Sequence, residues 1–167
     1  MDHIITKCVS NARTASWKMA NNLWRNKRSS NIPTELGDIL GCALTNYETN
    51  GKPNKGINRL YRIIVSETAY LIWKIRNERR IRDGDTTTDI PNEMVERRWT
   101  NAINKRLTID RFLTNENRFG KHAIEPKLVK ATWTNCLKNE DSLPADWPNK
   151  TGVLVGIAHP YPSDRNR

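Results

Sequence analysis

The run from Gly56 to Arg82, GINRLYRIIVSETAYLIWKIRNERRIR, constrains this chain more than any other stretch. It holds helical periodicity without a single breaker, so it has to be one long helix. At 100° per residue, Ile57, Leu60, Ile64, Leu71, Ile72 and Ile75 fall in one wide apolar arc. The other side reads Arg59, Arg62, Ser66, Ala69, Trp73, Arg76 and Arg80, at a 3-then-4 spacing that lasts to the end. One helix is therefore expected to carry both a core seam and a basic stripe with a tryptophan in its middle. Glu67 lies inside the apolar arc. A carboxylate there is either paired with an arginine from another helix or doing chemistry, and pairing is the expectation, since no second acid, histidine or metal motif stands near it.

Other helices flank this one. Ser10 or Asn11 caps a helix with Trp17, Ala20 or Asn21, and Trp24 on one side, ending in the basic Arg25-Asn-Lys-Arg cluster. Pro33 opens a second, with Leu36, Ile39, Leu40, Ala43 and Leu44 as its stripe, and Gly37 and Gly41 placed for close helix approach. Asn46 to Lys55 reads as a polar loop. Beyond Asp83-Gly84 and the DTTTD loop, Pro91 starts a helix running to about Asn115. Val95, Trp99, Ala102, Ile103, Ile109 and Leu113 form its apolar side, and Arg97, Arg98, Lys105 and Arg106 the other. Asn115 to Gly120 reads as a turn, and Pro126 opens a last helix with Leu128, Val129, Trp133, Cys136 and Leu137. After Glu140 the chain turns Pro- and Gly-rich, and its one apolar run, Val153 to Ile157, is expected to fold back over the helices in extended form. The fold expected is all-α, about five helices around the long central one. Residues 1–9 form an N-terminal remnant, 10–140 the helical domain, and 141–167 an extended, partly disordered tail.

Charge points to a partner. With 28 Lys and Arg against 18 Asp and Glu, the net charge is +10, which favours a polyanion such as nucleic acid. A solubilising surface or an assembly contact is the plainer account. Trp73 among Arg62, Arg76 and Arg80 has two readings: a stacking platform between phosphate-binding cations, or a ring covered by a neighbouring helix with arginine stems over it. The candidate nucleic-acid contacts are thus Arg59, Arg62, Trp73, Arg76, Arg80, Arg97, Arg98 and Lys105. MDHIITKCVS has no apolar core of a signal peptide, no run is long enough to span a bilayer, and the three cysteines are far apart. A nuclear or cytoplasmic protein, not secreted and without a membrane partner, is the expectation.

His3 and Cys8 have the spacing of the second half of a Cys-x2-Cys…His-x4-Cys zinc knuckle, but zinc needs four such ligands and no Cys-x2-Cys precedes them. A surface histidine beside a buried cysteine is the plainer reading. HIITKC with the Trp-containing helix after it resembles the tail of the zinc-binding region of non-LTR retrotransposon reverse transcriptases. LIWKIRNERRI resembles the Trp-Lys-x-Arg-Asn helix that follows such knuckles. Together with ILGCAL, the NRLYRIIVSETAYLIWKIRNER block and SLPADW…VLVGI, most of the chain looks like the C-terminal region of fungal reverse transcriptase/ribonuclease H-like transposon proteins. The resemblance implies that His3 and Cys8 are the last two zinc ligands of an intact parent, a half site that holds no tight zinc here. It also implies parent polymerase and nuclease domains as partners. The chain has neither the Tyr/Phe-x-Asp-Asp pair of a polymerase nor a strand-borne carboxylate set of a ribonuclease H, and Asp83, Asp85 and Asp89 sit in a Thr-rich loop. A non-catalytic piece that binds nucleic acid without sequence preference is the expectation, with a helical protein-interaction module or a decayed fragment as the alternatives.

Overall fold

The computed structural model describes residues 3–83 and 90–156. Among the described residues six α-helices carry the fold: α1 (Asn11–Arg25), α2 (Leu36–Leu40), α3 (Lys55–Asp83), α4 (Asn92–Phe112), α5 (Glu116–Phe119) and α6 (Pro126–Trp133). The all-α expectation holds, and α3 is the long element on which α1, α4 and α6 pack. The side chains of His3, Arg82 and Asp83, the Asp85 to Asp89 loop and Ile157 onward lie outside the described residues.

Local chemistry sets each boundary. Ser10 Oγ accepts from the Arg13 N–H at 3.3 Å and starts α1. Pro91 occupies the cap before α4, and Pro126 the first turn of α6, where a missing N–H costs nothing. Trp133 closes α6, so Cys136 and Leu137 lie beyond the helix, in the irregular segment after it. The NENRFG turn winds into the single turn of α5, capped by the Asn115 side chain accepting from the Arg118 N–H.

Two expectations need correction. The second helix is one turn and a residue, not a full stripe. Ile39 is buried, but Leu40 and Leu44 are 70% and 88% exposed. Two glycines four residues apart weaken it, and it ends at Gly41. The close approach expected at Gly37 occurs instead at Gly56, where a Cβ would lie 2.5 Å from the Ala131 carbonyl oxygen, so α3 and α6 cross nearly backbone to backbone. The polar loop at 46–55 also hides order. Glu48–Thr49 (β1) pairs antiparallel with Lys52–Pro53 (β2) around Asn50-Gly51, both at positive φ, as a type I′ hairpin requires.

The core is wide and aromatic. Five of the six tryptophans are buried, and three have a bonded indole: Trp17 Nε1 donates to the Ile5 carbonyl at 3.0 Å, Trp99 Nε1 to Thr68 Oγ1 at 2.8 Å, and Trp133 Nε1 to Asp110 Oδ2 at 2.8 Å. Trp24, Tyr47 and Tyr61 form a three-ring cluster, with Trp24 5.2 and 5.5 Å from the two tyrosines and these 5.2 Å from each other. The expected fold-back of the C-terminal run is present in short form. Leu137 bridges Val155, Lys138 N–H donates to the Leu154 carbonyl, and Trp147, Val153 and Val155 are buried, so the helical core continues past residue 140.

Candidate nucleic-acid interface

The basic stripe of α3 divides into two unlike parts. Near the N-terminus, Arg59 turns inward and forms a two-pronged ion pair with Asp110 of α4; its second nitrogen donates to Oδ1 at 2.7 Å. Asp110 is fully buried and also receives the Trp133 indole, so one carboxylate fastens α3, α4 and α6 together. A bidentate guanidinium pair with an added indole donor satisfies the buried charge. Arg59 is therefore occupied inside the fold, which corrects its assignment as a phosphate contact. Arg98 is also held, by Glu78 of α3 at 2.6 Å, although that pair is exposed enough to open.

Further along α3 the stripe faces outward. Arg62 and Arg80 are exposed, Arg76 is half-buried, and none of the three carries a hydrogen bond or ion pair to a described residue. Trp73 is the one tryptophan not buried, at 36% exposure. Its companion is Tyr70, 56% exposed, with ring centroids 5.9 Å apart and planes inclined by 30°. The two rings make a tilted, partly solvent-exposed aromatic pair.

Tyr70 also walls a groove of about 420 Å³ between α3 and α4. Its cationic lining is Lys74 from α3 with Arg98, Lys105 and Arg106 from α4, and its floor includes Leu71 and Ile109. Arg106 Nε is buried with no hydrogen-bond partner. Glu67, expected in an ion pair with an arginine of another helix, instead stands half-exposed on the same groove and has no such pair among the described residues. It sits near the groove's cations because α4 lies antiparallel against α3, and the open groove spares it full burial. Arg97, on the outer side of α4, is exposed.

The structure thus brings Trp73 and Lys105 to one side of the α3/α4 pair and adds Tyr70, Lys74 and Arg106, which the stripe reading missed. Those three lie about 60–100° around α3 from Trp73 or on the facing helix, so a one-stripe projection could not include them. The polar-tipped pair of Tyr70 and Lys74 beside Trp73 was the available signal. Cys8 is half-buried and unbonded to sulfur, while its carbonyl and that of Thr6 accept from the Arg13 guanidinium. Among the described residues no three His, Cys, Asp or Glu side chains gather to hold a metal ion, and no helix is long and apolar enough to cross a membrane. Comparison with family models, curated proteins and solved structures finds no match to this chain.

Proposed function

We propose that this chain binds single-stranded nucleic acid without sequence preference, as a non-catalytic C-terminal piece of a retrotransposon-type reverse transcriptase/ribonuclease H-like protein. The observation that carries the binding reading is the exposed Tyr70–Trp73 pair set between the free cations of α3 and the α3/α4 groove. Bases stack on aromatic faces whatever their identity, while arginine and lysine neutralise the phosphates on either side. The net charge of +10 draws such a strand in from a distance. The retrotransposon origin rests only on sequence words: HIITKC, LIWKIRNERRI, ILGCAL, the NRLYRIIVSETAYLIWKIRNER block and SLPADW…VLVGI.

Salt tests this directly. On single strands log K falls by about 0.7 per phosphate contact for each decade of salt, so four contacts lose roughly fiftyfold over a fourfold rise. Fluorescence anisotropy of a labelled oligonucleotide should show this fall, and a further loss of tenfold or more for Arg62→Ala combined with Arg76→Ala. Affinity that ignores salt would sink the proposal. Absence of any titration, with self-association or capture of an acidic protein through the same face, would favour the protein-interaction module instead.

A further inference from the structure

A second cavity lies away from the α3/α4 groove, where the end of α4 meets α5, the start of α6 and the 148–151 segment; it measures about 700 Å³. A space of this size suits a small organic ligand. Arg111, in the last turn of α4, lines it with its Nε buried and without a hydrogen-bond partner. No carboxylate pairs with this guanidinium among the described residues, although Glu116 lines the same cavity. Partial burial lowers the Arg111 pKa. A cation in the last turn complements the α4 dipole, but that role needs no burial of Nε. Arg59 and Arg13 have acceptors, Asp110 for the first and the Cys8 and Thr6 carbonyls for the second, whereas Arg106 on the α3/α4 groove shares with Arg111 a buried Nε without one.

The remaining lining decides what the missing acceptor is. Arg111 is the one cation and Glu116 the one anion among the lining residues, so their formal charges cancel. The α4 carbonyl end adds partial negative charge. A phosphate dianion would meet too little compensation there, whereas a single carboxylate matches the planar fork of one guanidinium. Asn117 and Asn149 offer amides to further polar groups, and Phe112, held edge-on to Phe119 with Arg118 over its face, offers a flat apolar wall.

We infer that this cavity is a binding site for a small organic monocarboxylate, its carboxylate on the Arg111 guanidinium and its flat apolar part on Phe112. The site is independent of nucleic-acid binding at α3.

The test is a nuclear magnetic resonance titration of the full chain with hippurate, which combines a carboxylate, an amide and an aryl ring. Its neutral counterpart hippuramide and inorganic phosphate serve as controls. Saturable shifts of the Arg111 Nε–H signal and of the backbone amides at 108–117 and 149–151 are expected with hippurate. Hippuramide should bind at least tenfold more weakly, and phosphate more weakly than hippurate. Arg111→Met should abolish the shifts, and Arg111→Lys, which keeps the charge without the fork and serves if the methionine variant fails to fold, should weaken them about tenfold. No saturable shift with hippurate at about 10 mM, the weak end for a single charged contact, overturns the inference. So does equal binding of hippuramide, or tighter binding of phosphate.

Discussion

Arg59 and Arg80 lie on one stripe of one helix, yet the first is locked against a buried carboxylate and the second points into solvent. The first half of α3 is wrapped: α6 crosses at Gly56, α1 and the hairpin segment supply Trp24 and Tyr47 around Tyr61, and α4 supplies Asp110. Leu60, Tyr61, Ile64, Val65 and Thr68 are all buried there. In the second half the buried positions narrow to Leu71, Ile72 and Ile75, while Tyr70, Trp73 and Ile81 are open. A helical pattern specifies which residues share a face. Which faces are covered depends on where other elements lie, and α6 crosses α3 at its start, at Gly56.

The largest effect that separates the halves should come from Asp110→Ala, which leaves Arg59 without its partner and frees the Trp133 indole. Loss of one member of a buried pair costs about 3–5 kcal/mol, against about 0.5 kcal/mol or less for Arg80→Ala at the exposed end. Chemical denaturation of both variants measures the contrast, and equal losses would erase it. Gly56→Ala comes next. Its new Cβ has no room against the Ala131 backbone, so about 1–3 kcal/mol of strain is expected, whereas Gly37, with open space around it, should accept alanine at no cost. A Gly56→Ala protein as stable as wild type would show that the α3–α6 crossing can open without penalty.

Alkaline pH should loosen the same closed half. Burial pushes the Cys136 thiol up to about 12 from its ordinary 9.0, and the Tyr61 hydroxyl up to about 12 from 10.0, in the latter case helped by the nearby Tyr47 and Asp38. Both groups hold their protons longer folded than unfolded. Their contribution is therefore complete below pH 9 for Cys136 and below pH 10 for Tyr61, and is lost as pH rises towards 12. At pH 10, one unit above its ordinary value, Cys136 alone accounts for about 1.4 kcal/mol. A denaturation midpoint that stays flat from pH 8.5 to 11 would contradict this, and Cys136→Ala should remove the first part of the slope.

Much of the first-order fold could be read from the chain. The apolar arc of α3, the Ser10 cap, Pro126 at the start of α6 and the buried faces of Trp24, Trp99 and Trp133 each follow from spacing or local chemistry. Asn50-Gly51 carried a hairpin signal that the polar composition of its surroundings masked. The Arg59–Asp110 pair was beyond reach, because its members are 51 residues apart and lie on different helices, although Asp110 stands on the same face as Ile103 and Leu107. Glu67 shows the converse: an acid in an apolar arc demands a partner only if that arc is covered, and at Glu67 the α3/α4 groove leaves it open. The binding face itself was half legible. Trp73 stood out by its arginine neighbours, whereas the groove needed the antiparallel docking of α4.

The most direct test is a comparison of single-stranded oligonucleotide affinity between the wild-type chain and Tyr70→Ala combined with Trp73→Ala, at one low salt concentration, with thermal stability measured in parallel. Each stacked base is worth about 1–3 kcal/mol, so the double variant should bind at least tenfold more weakly while unfolding within a few degrees of wild type. Unchanged affinity in a folded double variant would contradict the account, and the open half of α3 would then be surface rather than site.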